Sequence, residues 1–203
     1  RADGDGLGYT VFAARDLVVA GAPFADDGAT NAGAAYLFQS DNEEPEDWTP
    51  LLKLDAGAPQ TNALFGHAVE IDGDTIIVGA PGAWVGGTNC GAAAIFERHA
   101  GGSNAWGRTA TLAPVSTGGV FLAGDDAIFG TAVALEGDTA VVGASEASVT
   151  GVLSGAAFIF TRHAGGSNAW GLVRRLAPDD GADGDGFGNS LALHGDTLAV
   201  GAN

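Results

Sequence analysis

At 203 residues, with 46% hydrophobic and 16% charged side chains, the chain can bury about 70% of its unfolded surface, and its composition is neither disordered nor collagen-like despite 34 glycines. Twenty-five acidic residues stand against eight basic ones, and Lys53 is the only lysine. A field of that sign repels phosphate backbones and anionic bilayers, so no nucleic-acid partner is expected, while cations and basic protein surfaces are favoured.

No run approaches the ~18 apolar residues of a membrane span, so no membrane insertion is expected in this segment. A start at Arg1 without a charged-then-apolar leader is read as a mature or excised piece of a longer polypeptide. Cys90 has no second cysteine to pair with, and it shares a repeat slot with Ala32 and Ser154; a small packed side chain is expected there.

Four anchors recur along the chain. A bulky residue precedes glycine at Leu7-Gly8, Phe65-Gly66, Phe129-Gly130 and Phe187-Gly188, and Gly-Ala follows 13 residues later in every copy, at Gly21, Gly79, Gly143 and Gly201. Gly-Ala-Ala then begins 12 residues on, at Gly33, Gly91 and Gly155, and a tryptophan comes 15 after that, at Trp48, Trp106 and Trp170. Only the stretch from tryptophan to the next phenylalanine varies, being 17, 23 and 17 residues, so a six-residue insertion lies within 107–128. The chain therefore divides into repeats 1–58, 59–116 and 117–180 with a partial copy at 181–203.

Each copy has the grammar of strands. In the first, a hairpin around Ala14-Arg15 has the weakest turn signal, a third strand covers 34–38, and a fourth runs from Trp48 to Leu54. In the second, 67–71 alternates, Asp72-Gly73 supplies a two-residue turn that favours positive φ, and 75–78 returns. A third strand at 92–96 and a fourth from Trp106 to Leu112 complete this copy.

The third copy repeats the pattern with Glu136-Gly137 at its tip, 156–160 as third strand and a fourth ending at Leu176; the fourth copy has only the hairpin around His194-Gly195. The duplicated segment Arg-His-Ala-Gly-Gly-Ser-Asn-Ala-Trp-Gly, at 98–107 and 162–171, joins third to fourth strands and reads as a surface turn. Four short antiparallel strands per ~60 residues predict an all-β propeller, with about three and a half four-stranded blades in 1–203. The second strands are apolar on both faces, as sheets covered by neighbouring blades require.

Phe65-Gly66 with Val78-Gly-Ala-Pro81 and Gly91-Ala-Ala-Ala-Ile-Phe96 resembles the FG-GAP repeat of integrin α-chain propellers and of bacterial and archaeal surface proteins. Val19-Ala-Gly-Ala-Pro23 and Gly33-Ala-Ala-Tyr-Leu-Phe38 extend the likeness, which covers essentially the whole chain. It implies a propeller and an extracellular or cell-surface interaction role. The integrin calcium loop between the first two strands is not carried over, because Asp72-Gly73, Glu136-Gly137 and His194-Gly195 are two-residue turns, too short to wrap a cation.

Acidic residues gather instead before the first strands. Asp3 and Asp5, and Asp183 and Asp185, alternate with glycine and are the candidate calcium ligands, although the same residues also form ordinary solvated turns. Trp84, in the loop after Gly-Ala-Pro, has no counterpart in the other copies and is the candidate binding anchor. His67, His99, His163 and His194 are assigned scaffold or surface roles, and with neither a nucleophile elbow nor a zinc or phosphate-loop motif, no enzymatic activity is expected.

The favoured reading is thus a non-enzymatic adhesion or interaction module engaging a protein or glycan on a cell surface. Self-association through the unfinished fourth copy is the alternative, since unpaired strand edges invite pairing. A carbohydrate-binding propeller attached to an enzyme is the third reading.

Overall fold

In the computed structural model, which describes residues 4–40, 47–116, 118–149 and 153–203, the secondary structure is entirely β. The first sheet holds β1 (Val11–Ala14), β2 (Leu17–Ala22), β3 (Ala34–Ser40) and β4 (Trp48–Leu54) in that order. The second sheet is built from β5 (Val69–Asp72), β6 (Thr75–Ala80), β9 (Ala92–Arg98) and β10 (Trp106–Leu112). Between β6 and β9 a small hairpin is inserted, formed by β7 (Trp84–Val85) and β8 (Thr88–Asn89).

The third sheet comprises β11 (Phe129–Glu136), β12 (Thr139–Ala144), β13 (Ala156–Thr161) and β14 (Gly171–Leu176). Last comes the hairpin of β15 (Ser190–His194) and β16 (Thr197–Gly201). All pairings between these strands are antiparallel, so each sheet is one propeller blade built from one repeat.

Period-two alternation divides each blade into two apolar faces. Leu17, Val19, Ala35, Leu37 and Leu54 of the first blade pack on Phe65, Ile71, Ile76, Val78 and Phe96 of the second. The opposite face of the second, with Ile77, Ile95 and Leu112, packs on Phe129, Leu135, Val142 and Phe158 of the third. Ala134, Val141 and Ala157 of the third then meet Phe187, Leu191, Leu198 and Val200 of the last hairpin. Trp106 is buried in this packing and Trp170 lies against it, but Trp48 is exposed, because its face of the first blade points away from the second.

The repeat glycines sit where blade backbones meet. A Cβ on Gly21, Gly79 or Gly143 would overlap the carbonyl oxygen of Gly66, Gly130 or Gly188 in the next blade. The reverse holds as well: a Cβ on Gly66, Gly130 or Gly188 would overlap the carbonyl oxygen of Ala34, Ala92 or Ala156 in the preceding blade. Phe65, Phe129 and Phe187 donate their N–H groups to the carbonyls of Ala32, Cys90 and Ser154 at 2.9–3.0 Å. This explains the shared small slot: all three of those residues are buried, and burial pushes the Cys90 thiol up to about 11.

Polar ties run the same way around the array. The carboxylate of Asp72 accepts the N–H of Gly137 at 2.7 Å, and that of Glu136 accepts the N–H of Gly195 at 2.7 Å, so the second hairpin tip is tied to the third and the third to the fourth. Arg162 donates to Asp138 at 2.7 Å, to Glu97 and to Thr75, while lying 4.8 Å from the Trp170 ring centroid. Trp170 also donates to Glu97. One earlier, Gln39 occupies the Glu97 slot and bonds Asp16 instead, and the Trp106 indole N–H is without a partner among the described residues.

Gly8 and Gly66 share one backbone conformation, with φ of +88° and +91°, yet a Cβ on Gly8 meets nothing within 4 Å. Gly8→Ala is therefore expected to cost only the left-handed strain of about 1–2 kcal/mol. Gly66→Ala adds a clash with backbone and is expected to cost about 1–3 kcal/mol more. Urea unfolding of both variants measures the difference, which isolates the inter-blade contact; equal losses refute its assignment.

Candidate functional site

The candidate anchor Trp84 opens the β7–β8 hairpin, whose turn is Gly86-Gly87 with φ of +60° and +90°. The side-chain amide of Gln60 clamps its backbone from the adjacent connection: Trp84 N–H donates to Gln60 Oε1 at 2.6 Å, and Gln60 Nε2 donates to the Trp84 carbonyl at 3.1 Å. Beside them Gly82 gives its N–H to the Ala63 carbonyl, and a Cβ on Gly82 would overlap the Asn62 carbonyl. The hairpin base is thus held against the β4–β5 connection while Trp84 stays 55% exposed.

Trp84 forms one wall of a cavity of about 290 Å³. Its floor is apolar, made of Ala63, Phe65, Ala80, Ala83 and the alanines that open β9. The opposite rim is Ala56, Ala58, Arg108 and Thr111. Arg108 precedes a bulge in the β9–β10 pairing, where the register shifts between Arg108 and Ala110, and a bulge re-aims the side chains beside it. Its guanidinium donates to the Ala56 carbonyl and the Thr111 hydroxyl.

The rim departs from the repeat while the floor keeps it. Trp84 aligns with Asp26 and Ser148, Arg108 with Pro50 and Leu172, and Gln60 with Gly124 and Ala182. Ala80 and Ala92, by contrast, recur as Ala22 and Ala34, and as Ala144 and Ala156. Trp84 is legible in the sequence by its lack of a counterpart, and Arg108 and Gln60, outside the residues expected from sequence, carry the same slot-by-slot signal. What it does not supply is that all three face one cavity, because they come from three separate segments.

Of the candidate calcium ligands, Asp3 lies outside the described residues. Asp5 sits in the entry loop of the first blade, where its carbonyl accepts the Phe24 N–H. Asp183 Oδ1 accepts the Leu153 N–H at 3.2 Å and Asp185 Oδ2 the Ala182 N–H at 2.6 Å, so both carboxylates hold loop backbone. Among the described residues no three His, Cys, Asp or Glu side chains gather as a metal site.

The histidines have local explanations. His99 and His163, at φ of 73° and 74°, accept the N–H groups of Asn104 and Asn168 at 3.1 and 3.0 Å, pinning the duplicated turn. His67 lies between blades, Nδ1 3.3 Å from the Thr131 carbonyl and Nε2 3.4 Å from the Tyr9 hydroxyl. A carbonyl only accepts, so Nδ1 carries the proton and Nε2 accepts from Tyr9. Burial, opposed by the bond to Thr131, holds its pKa below the ordinary histidine value and favours this neutral form. His194 is exposed near Glu136.

The FG-GAP repeat matches residues 1–38, 48–96, 123–160 and 170–203, and the chain belongs to that family of propeller-blade repeats. No curated protein matches it. Trp84 falls within a matched stretch, whereas Arg108 lies in 97–122, between matches.

Glu70 on β5 is the one strongly shifted carboxyl on the described surface between blades. Burial pushes it from 4.5 up to about 7, with a bond to the Leu135 backbone opposing and the charges of Asp72 and Glu136 adding to the rise. Between those two values the unfolded chain has released a proton that the folded chain retains, so this group's contribution to stability falls as pH rises from 4.5 to about 7. Glu70→Gln is expected to raise the thermal midpoint at about pH 8 and leave it nearly unchanged at about pH 4, as calorimetry at both values measures. An equal shift at both refutes the assignment.

Proposed function

We propose that this chain is a non-enzymatic interaction module acting outside the cell or at its surface, and that it engages its partner through the Trp84 cavity. The observation that carries the reading is the convergence of Trp84, Arg108 and Gln60, each particular to the second repeat, around a floor that the other repeats share. A repeat array needs no such variation for its own packing. An exposed tryptophan beside an arginine is also the composition enriched at binding hot spots. The local, turn-holding roles of His99 and His163 support a scaffold without chemistry.

The test is retention of the immobilised chain on surfaces coated with purified cell-envelope and extracellular-matrix proteins, beside a glycan panel. Retention on a protein coat that Trp84→Ala weakens roughly tenfold or more supports the reading. Retention on glycans alone favours the carbohydrate-binding alternative, and retention on neither refutes the module.

A second reading, self-association, is favoured by the face of the first blade that points away from the second, where Val11 and Trp48 are exposed. The complementary surface is a blade face of the same repeat type. Light scattering reads whether a second copy supplies it: a concentration-dependent mass that Val11→Asp abolishes supports this reading, and a monomer at every concentration removes it.

A further inference from the structure

Resting on that reading of the Trp84 cavity, we infer that its ligand is a compact apolar group carrying a carboxylate, either a free aryl or branched-alkyl acid or the C-terminal residue of a peptide. The size sets the first limit. At about 290 Å³ the cavity lies near the small end of ligand pockets and accommodates one ring with a short tail. The floor sets the second. It is alanine and phenylalanine side chains, which offer no hydrogen bonds, so burying a polyhydroxylated ring on it leaves hydroxyls unpaired at a substantial cost. A flat apolar group against the exposed indole of Trp84 incurs no such cost.

Arg108 supplies the polar end. Among the other basic side chains of known placement, Lys53 pairs with Asp27, Arg98 with Asp74 and Arg162 with Asp138 and Glu97, while Arg175 donates to the Leu122 carbonyl. Arg108 bonds only neutral acceptors among the described residues, the Ala56 carbonyl and the Thr111 hydroxyl. These orient the guanidinium without neutralising it. A guanidinium has five N–H donors in a planar fork that matches a carboxylate, so donors remain after two are used. In a chain of net charge −17, an unneutralised cation on the rim of an apolar cavity marks where an anionic group is tolerated. Pro50 and Leu172, in the same slot of the neighbouring repeats, offer nothing equivalent.

The experiment titrates the chain with 3-phenylpropionate, with its amide, and with a peptide ending in phenylalanine, following the indole N–H signals by NMR. The acid is expected to saturate and shift the Trp84 signal, and the amide to bind roughly tenfold or more weakly. Arg108→Gln is expected to abolish the preference for the acid, and Ala58→Phe, which fills the exposed mouth without touching the floor, to abolish binding of both. A peptide that binds more tightly than the free acid assigns the ligand to a polypeptide terminus; one that binds no better assigns it to a free acid. No saturation by the acid at about 10 mM, equal binding of acid and amide, or a methyl pyranoside binding in their place overturns the inference. If protein-coat retention still depends on Trp84 in that event, only the ligand class is wrong and the interaction module stands.

Discussion

Everything in this structure depends on how closely the backbone of one blade approaches that of the next. At each junction three glycines face a neighbouring main chain, so that Gly79, for example, lies against the Gly130 carbonyl, Gly91 against the Phe129 carbonyl, and Gly130 in turn against the Ala92 carbonyl. No side chain fits in that space, so these slots accept glycine alone. The N–H of the following phenylalanine then reaches the carbonyl of Ala32, Cys90 or Ser154, and the small side chains at those positions are buried as a result. Close backbone contact leaves the remaining strand residues to interdigitate on two apolar faces, one for each neighbour.

Electrostatics follows the same geometry. Carboxylates at the hairpin tips bind the N–H of the next tip, and Arg162 gathers an acid from its own blade and one from the blade before. An acidic chain thereby employs some of its negative charge in joints between repeats. Glu70 is an exception, half-buried between blades near two other carboxylates and therefore held partly neutral.

Against this regular frame the second repeat is individual. Its Gly82 lets the β4–β5 connection come close, Gln60 then substitutes for a strand partner of Trp84, and the β7–β8 hairpin projects the indole over a floor of scaffold alanines. Arg108, beside the bulge in β10, closes the far side. The cavity is made from the scaffold's own small residues, and its character comes from three side chains on its rim.

Much of this was legible in the residue order. Fixed spacings of Phe-Gly, Gly-Ala, Gly-Ala-Ala and tryptophan determine the blade strands, their hairpin turns and the repeat, because strand alternation and turn geometry are local properties of the chain, but not the inserted β7–β8 hairpin. Trp84 stood out for the same reason, as a residue without a counterpart. Tertiary structure alone decided the rest. Asp72 and Glu136 read as turn residues, yet they are also bonds to the next blade; Asp183 and Asp185 read as a calcium loop or a turn, and their carboxylates hold loop backbone. Trp48 shares its slot with Trp106 but lacks its burial, since burial depends on which blade face it occupies. The meeting of Gln60, Trp84 and Arg108 is likewise a product of blade packing, because residues 24 positions apart become neighbours only when a connection from one blade lies against a hairpin of the next.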